Sequence, residues 1–366
     1  MDDFLLRKST RRDFLDNTAK LCFLVGMSSI FLNCTETVAS IKEPRTGFEK
    51  PGKTSSDFES AYLKLHQTGE LKKRAEKLWA IMESCQLCPR RCGENRLERM
   101  RGFCRAPGAR LIVSGYHAHF GEERPLVGKG GSGTIFFSHC SLRCVFCQNW
   151  TVSHLGRGSE TNISELAGMM LRLQEKGCHN INLVTPTHYS AHILKALDAA
   201  AGKGLRLPVV YNTCGWERLE ILTLFDEVVD IYLPDFKYWD SAMSAKFSAG
   251  AENYPEITRK AILEMNRQVG VAKSAKQGFM QRGLMIRHLV MPNDIGGSEK
   301  IMEWIAENLP KDTYVNIMAQ YTPAHKAYDY PEISRRITGE EYRKVVQRAK
   351  DMGLTNLHIQ GSWWLQ

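Results

Sequence analysis

From residue 133 onward, short apolar runs alternate with amphipathic stretches. The runs fall at 134–137, 181–185, 208–212, 228–233, 284–291, 314–318 and 356–360. Each is rich in Val, Ile, Leu, Tyr or Phe and too short for a helix, which is the pattern of a buried strand. The stretches between them carry helical spacing, as at 192–200, 218–224, 259–271 and 300–308. Asn162, with Glu165 three residues later, marks a helix start. Leu166, Met169, Met170 and Leu173 then form one apolar stripe, and Gly177 ends it. Strands alternating with helices predict an α/β fold with a parallel sheet and helices packed outside. About six main units are fewer than a closed eight-fold barrel needs. The expectation is therefore a partial, open βα barrel of about six parallel strands. Chemistry in such folds sits just beyond the carboxyl ends of the strands.

The chain before this region has other textures. Residues 58–82 read as a helical pair, with Leu71, Ala75, Leu78, Trp79 and Met82 on one core-facing side. Residues 35–56 are polar and contain Pro44, Gly47, Pro51 and Gly52, so they read as a linker. Residues 1–34 start basic, with Arg11-Arg12 ahead of Phe14-Leu15, and continue into an apolar stretch at 21–32. This resembles a twin-arginine export signal. Phe31-Leu32-Asn33-Cys34 also resembles a lipoprotein box, with Cys34 as the lipid carrier. An uncut amphipathic helix is the plain alternative. The division expected is a signal segment (1–34), a linker (35–56), a small helical and cysteine-rich subdomain (57–110) and the partial barrel (111–366). Membrane contact is expected only through the N-terminal segment.

Composition adds two constraints. At 43% hydrophobic and 24% charged residues, the chain has material for a sizeable core, which excludes a disordered or fibrous protein. The net charge of +9 forms no long basic run, and part of it lies in the first twenty residues, so no nucleic-acid partner is expected. Cysteine is the informative residue. Of eleven, seven fall in two tight groups. Cysteines two or three residues apart point to metal ligation over a secreted disulfide framework.

Cys140-Ser-Leu-Arg-Cys144-Val-Phe-Cys147 follows the first strand of the alternating region directly. Three thiolates on one loop can wrap an iron–sulfur cluster, and a complete site usually takes four, so one iron stays open. Zinc held with His139 or a distant ligand is the competing reading; core packing calls for no such spacing. Cys85-x2-Cys88-x3-Cys92-x11-Cys104 supplies four thiolates, a closed set suited to zinc or to a second iron–sulfur cluster, with a disulfide pair as the alternative. Arg90 and Arg91 beside them favour thiolates.

The triplet matches the CxxxCxxC signature of radical S-adenosylmethionine (SAM) enzymes, with the aromatic Phe146 before the third cysteine. The resemblance implies that Cys140, Cys144 and Cys147 bind a [4Fe–4S] cluster whose unique iron takes the amine and carboxylate of SAM. One electron then yields methionine and a 5′-deoxyadenosyl radical that abstracts hydrogen from a substrate. Further positions resemble activating enzymes of glycyl radical enzymes: Asn212-Thr213-Cys214-Gly215, Asp235-Phe236-Lys237, and Arg287 through Pro292. They place SAM contacts at Asn212, Asp235, Lys237 and Arg287. The family's Gly-Gly-Glu motif is absent; Thr185-Pro186-Thr187-His188 stands there, so Thr185 and Thr187 are the oxygens on offer for the amine, with His188 a polar pocket residue. Cys214 is placed near the SAM pocket, and Cys178 is read as a small buried apolar residue.

The four-cysteine motif, the 121–126 stretch Gly-Glu-Glu-Arg-Pro-Leu and the run 131–140 together resemble a branch of pyruvate formate-lyase activating enzyme-like radical SAM proteins, over about residues 60–362. This implies an oxidoreductase with a low-potential electron donor and admits a protein substrate activated to a glycyl radical. The branch implies a cytoplasmic location; the leader departs from it and implies export or a membrane anchor. From a different class, a non-catalytic electron-transfer or metal-stabilised binding protein would use the same cysteines. A zinc-dependent nucleic-acid binder is a third reading.

Overall fold

Among the described residues of the computed structural model, ten strands form one sheet: β1 (Leu111–His119), β2 (Ser132–Phe137), β3 (Ser159–Thr161), β4 (Ile181–Val184), β5 (Val209–Thr213), β6 (Ile231–Pro234), β7 (Lys273–Ser274), β8 (Met280–Leu289), β9 (Tyr314–Met318) and β10 (Leu357–Ile359). The structure describes residues 58–98, 101–274 and 278–360. The leader at 1–34, with Cys34, and the linker at 35–56 lie outside the described residues. Among the described residues, no helix is long and apolar enough to cross a membrane.

The strand order is β10-β9-β8-β6-β5-β4-β2-β1-β3. Every neighbouring pair from β2 to β10 is parallel. The order is linear, so the sheet is open, as the sequence predicts. The expected count of about six needs correcting. The run at 356–360 joins as a seventh parallel strand, pairing Leu357 with Val315. Three antiparallel strands are added besides. β1 lies on β2 and β3 on β1, while the two-residue β7 lies on β8. Their sequences hide them. β1 carries Ser114, Gly115, His117 and His119, is half exposed, and has an irregular register between Val113 and Gly115. Half-exposed strands of this kind show no continuous apolar run.

The helices cover the sheet as their apolar stripes require. Helix α1 (Tyr62–Gln67) and helix α2 (Glu70–Ala80) bury Tyr62, Leu65, Leu71, Ala75 and Leu78. α2 packs on α4 (Ser190–Gly202). Between them in sequence, α3 (Ile163–Glu175) begins at the predicted box. The Asn162 side chain accepts from the Glu165 N–H at 2.9 Å, and Glu165 accepts from the Asn162 N–H at 2.7 Å. Asn162→Ala should therefore cost about 1 kcal/mol, read as a lower urea midpoint at unchanged slope; no change would mean that the box contributes nothing. Further along, α5 (Tyr254–Val269) and α6 (Ser298–Asn308) fill predicted helical intervals. Helix α7 (Gly339–Asp351) was not predicted, although its own box, Thr338 with Glu341, is written in the sequence.

Candidate functional site

The cysteine triplet occupies the loop after β2, at the carboxyl edge of the parallel sheet. Two non-glycine residues of this loop have left-handed backbone, His139 at φ 73° and Arg143 at φ 54°. That winding turns the Leu142 and Arg143 N–H groups toward the Cys140 sulfur. The loop is stitched at its middle. Val145 N–H donates to the Phe247 carbonyl at 2.9 Å, and Lys326 N–H donates to the Val145 carbonyl at 2.9 Å. Phe146 is buried between Tyr238 and Tyr321 at ring-centroid distances of 6.3 and 5.9 Å. It anchors the loop in the core.

The three cysteines line one cavity of about 320 Å³. Around it stand Phe146 of the triplet itself and, from successive strand ends as the sequence predicts, Thr185, Asn212, Asp235, Lys237 and Arg287. Cys214 lines it too, on a fixed turn. Gly215 has φ 81°, and a Cβ there would lie 2.2 Å from the Asp235 carbonyl oxygen, so only glycine fits. The Tyr254 hydroxyl donates to the Cys214 carbonyl at 2.9 Å.

Thr187 is not in the lining. Its hydroxyl donates to Glu217 Oε1 at 2.5 Å, so the oxygen offered for an amine is turned away. His188 is also not the pocket residue that the sequence suggested. Its ring is buried, and Nε2 donates to the Ser138 carbonyl at 2.8 Å, bracing the end of β2 from behind. Burial pushes its pKa down to about 3, so it stays neutral. Cys178 is buried in the core, 3% exposed.

The polar wall of the cavity is one network. Arg287 donates from Nε to Asp235 Oδ1 at 2.8 Å and from Nη2 to Asn212 Oδ1 at 2.6 Å. Lys237 Nζ donates to Asp235 Oδ2 at 2.7 Å. Burial alone would raise the Asp235 pKa. The two cations outweigh it and hold the carboxylate below its usual range. Glu122 stands 3.8 Å from Arg287, and burial, only partly offset by that arginine, raises it to about 7. Glu122 had no role in the sequence reading; nothing in its local pattern separates it from a loop charge.

Glu217 lies beneath this wall, fully buried, with Thr187 and Thr213 donating to Oε1. Burial raises its pKa to about 7. A carboxyl raised in the folded state contributes full stability only below its unfolded pKa, near 4.5. That stability is lost as pH rises through about 7. Glu217→Gln should match the parent below about pH 5 and be more stable above pH 7, by about 3 kcal/mol at most. Thermal melts across this range give the test; parallel melting curves would show that the carboxyl is not raised.

The sulfurs are free thiols, all nine in the described residues. Burial pushes Cys144 up to about 12 and raises Cys147. Cys140 goes the other way, down to about 6, because the Cys214 thiol hydrogen-bonds to it and backbone N–H groups assist. Among the described residues, no three Cys, His, Asp or Glu side chains converge at single-ion distances. The lining and the hydrogen bonds to sulfur are what bear on a cofactor.

The second cysteine group, Cys85, Cys88, Cys92 and Cys104, is also drawn into one neighbourhood. Burial pushes Cys88 up to about 12, and Cys104, Cys85 and Cys92 add to the rise. A Cβ on Gly102 would lie 2.4 Å from the Cys92 sulfur, so a glycine makes room for it. Buried Arg96 reaches the Cys85 sulfur at 3.8 Å while donating to the His188 and Pro107 carbonyls. Arg90 ties this loop to the triplet loop. Its guanidinium donates to the carbonyls of Ser141 at 3.0 Å, Ala249 at 2.8 Å and Ser248 at 3.1 Å, and lies over Phe103. The sequence suggested only that its charge favours thiolates.

The fold and site define an α/β protein with a cysteine-lined cavity at the carboxyl edge of an open, mostly parallel sheet. Within that class, the chain belongs to the family of the uncharacterized protein MJ0674 of Methanocaldococcus jannaschii, with 35% identity over 288 residues, 75% of this chain and 76% of that one. No family model matches. Solved structures resemble it loosely. A radical SAM methyltransferase from Sphaerobacter thermophilus has 16% identity and a TM-score of 0.41, covering 62% of this chain and 65% of its own. SuiB of Streptococcus suis, bound to S-adenosylmethionine, has 13% identity and a TM-score of 0.44, covering 62% and 49%. A domain of a pyruvate-formate lyase-activating enzyme from Bacteroides vulgatus has 16% identity and a TM-score of 0.32, covering 47% and 92%. The chain thus spans from about half to just under two thirds of the first two of these structures. Likenesses of this looseness do not bear on what the chain does.

Proposed function

We propose that this chain is a radical SAM enzyme, with Cys140, Cys144 and Cys147 holding a [4Fe–4S] cluster and the wall from Thr185 to Arg287 holding SAM. The observation that carries the reading is the convergence of residues from five strand ends on one cavity. The triplet follows β2, Thr185 follows β4, Asn212 ends β5, Asp235 and Lys237 follow β6, and Arg287 lies in β8. The donor set fits a cluster with one open corner. The three sulfurs of the triplet face a common space, with Cys214 also in its lining.

When bound, the reduced cluster supplies the electron that splits SAM into methionine and a 5′-deoxyadenosyl radical for hydrogen abstraction. The residues supply position and charge. Arg287 and Lys237 offer cations to a carboxylate; Asn212 and Thr185 offer oxygens to an amine. Phe146 and its two tyrosines hold the loop rigid and exclude water behind it.

The electron comes from a low-potential one-electron donor. A protein substrate, activated to a glycyl radical, is the reaction that the motif resemblance favours. The four-cysteine loop holds zinc or a second cluster and braces the triplet loop through Arg90. Cys88→Ala should lower stability and lose the metal of that loop, while the triplet's iron is retained; loss of no metal at all would remove the second site.

The test is anaerobic. Purified protein is reduced with dithionite, SAM is added, and 5′-deoxyadenosine and methionine are measured by chromatography. Both should form in a one-to-one ratio. An intact cluster that forms neither would leave the electron-transfer reading standing instead.

A further inference from the structure

Two sulfurs of the triplet each have their own side-chain hydrogen-bond neighbour, and the two come from different parts of the fold. Ser248, just beyond the helix Ser241–Phe247, donates from Oγ to the Cys144 sulfur at 3.2 Å. Ser153, closing the short helix after the triplet, has its Oγ 3.1 Å from the Cys147 sulfur. Neither serine belongs to the CxxxCxxC pattern.

Both contacts are the last links of hydrogen-bonded chains, of which the one through Ser248 is buried. The Tyr238 hydroxyl lies 2.9 Å from Ser248 Oγ, and Tyr238 and Ser248 are both fully buried. His154 Nδ1 lies 2.9 Å from Ser153 Oγ. A thiolate can only accept. With Cys144 and Cys147 as thiolates, each serine must donate to sulfur, leaving its oxygen to accept from Tyr238 or from His154. Hydrogen bonds aligned head to tail strengthen one another. The serine nearest the second cysteine loop is also held by its backbone, since Arg90 grips the Ser248 carbonyl at 3.1 Å.

We propose that Ser248 and Ser153 are positioning residues that set the reduction potential of the triplet's cluster, each by hydrogen-bonding one ligand sulfur. This rests on the radical SAM reading above. Reduction adds one electron, delivered by the low-potential donor, and moves no other group. The added charge spreads onto the sulfurs, and donors aimed at them stabilise the reduced form more than the oxidised one. The donors therefore raise the potential and make the cluster easier to reduce. Solvent, which would otherwise hydrate the sulfurs, is kept away by the same packing that buries Cys144 and Ser248.

The test is an anaerobic potentiometric titration of the full chain carrying its reconstituted cluster, followed by electron paramagnetic resonance. Iron and sulfide are assayed on every sample. Ser248→Ala and Ser153→Ala should each shift the oxidised-to-reduced ratio at a fixed poise toward oxidised by roughly three- to tenfold, with about 59 mV corresponding to tenfold. Ser248→Thr, which keeps a hydroxyl, should return the midpoint toward the parent. Full iron and sulfide with an unmoved midpoint in both alanine variants overturns the proposal. So does a shift that the threonine variant shares in full. Should Ser248→Ala assemble no cluster, Ser153→Ala and Ser248→Thr decide by the same criteria. A parent protein without iron and sulfide defeats the radical SAM reading itself, an outcome distinct from an unmoved midpoint.

Discussion

Cys144→Ala is expected to abolish cluster assembly at the triplet and SAM cleavage together. 5′-Deoxyadenosine should fall to the level of enzyme-free controls, and iron bound at the triplet should be lost. The effect is all-or-none because two thiolates cannot hold three corners of a cubane. The fold should survive. Removing one sulfur from a buried position leaves a small cavity and deprives Ser248 of its acceptor, but Tyr238 still faces that hydroxyl. Burial holds the Cys144 thiol at about 12, so assembly must release its proton as metal arrives. The matched control is Cys178→Ala, buried in the core away from the cavity, which should leave 5′-deoxyadenosine formation unchanged. Full turnover by the Cys144 variant would show that the ligand assignment is wrong.

The second large effect is expected from Asp235→Asn. Asp235 is the anion between Lys237 and Arg287, and all three side chains are partly buried, 13–17% exposed. Asparagine keeps the shape and removes the charge, leaving two cations facing each other with Glu122 as the remaining carboxyl near Arg287. Breaking a fully buried pair in this way costs about 3–5 kcal/mol and an exposed one about 1 at most, so about 2–3 kcal/mol is expected for this partly buried network. The pH signature follows from the depressed Asp235 pKa. Its stabilisation is fully present above the ordinary carboxylate range and is lost as pH falls through the folded-state value. The parent and variant should therefore differ most at neutral pH and converge only in acid, below about pH 4. Denaturant titrations of the SAM-free protein at several pH values give the comparison. SAM binding should weaken as well, since the network that orients Arg287 and Lys237 is gone. A difference under about 1 kcal/mol at pH 7, the usual worth of an exposed pair, would mean that solvent screens this network.

Much of the fold was legible in the chain. Buried parallel strands are apolar on both faces, so the runs later found as β4, β5, β6 and β9 stand out at nearly their observed bounds. The helix at Ile163–Glu175 announced itself through its box. The helix Gly339–Asp351 carries equal signals, Thr338 with Glu341 and then Tyr342, Val345, Val346 and Ala349 on one buried face. β1 and β3 were less accessible. Each is short or half exposed, and its place is decided by pairing with a strand far from it in kind, antiparallel where the rest is parallel.

The candidate site divides in the same way. The spacing of Cys140, Cys144 and Cys147, and the polar residues placed after successive apolar runs, could be read from the sequence alone, because strand ends fall where hydrophobic runs stop. What only the tertiary structure decided is which side chains meet those groups. Thr185 faces the cavity while Thr187, two residues on, turns to Glu217. Arg90 reaches 51 residues along the chain to the Ser141 carbonyl, and Ser248 reaches 104 residues back to the Cys144 sulfur. A single hydroxyl or guanidinium has no periodicity, and its partner is chosen by the packing of distant elements, so its role exists only once the chain has closed around it.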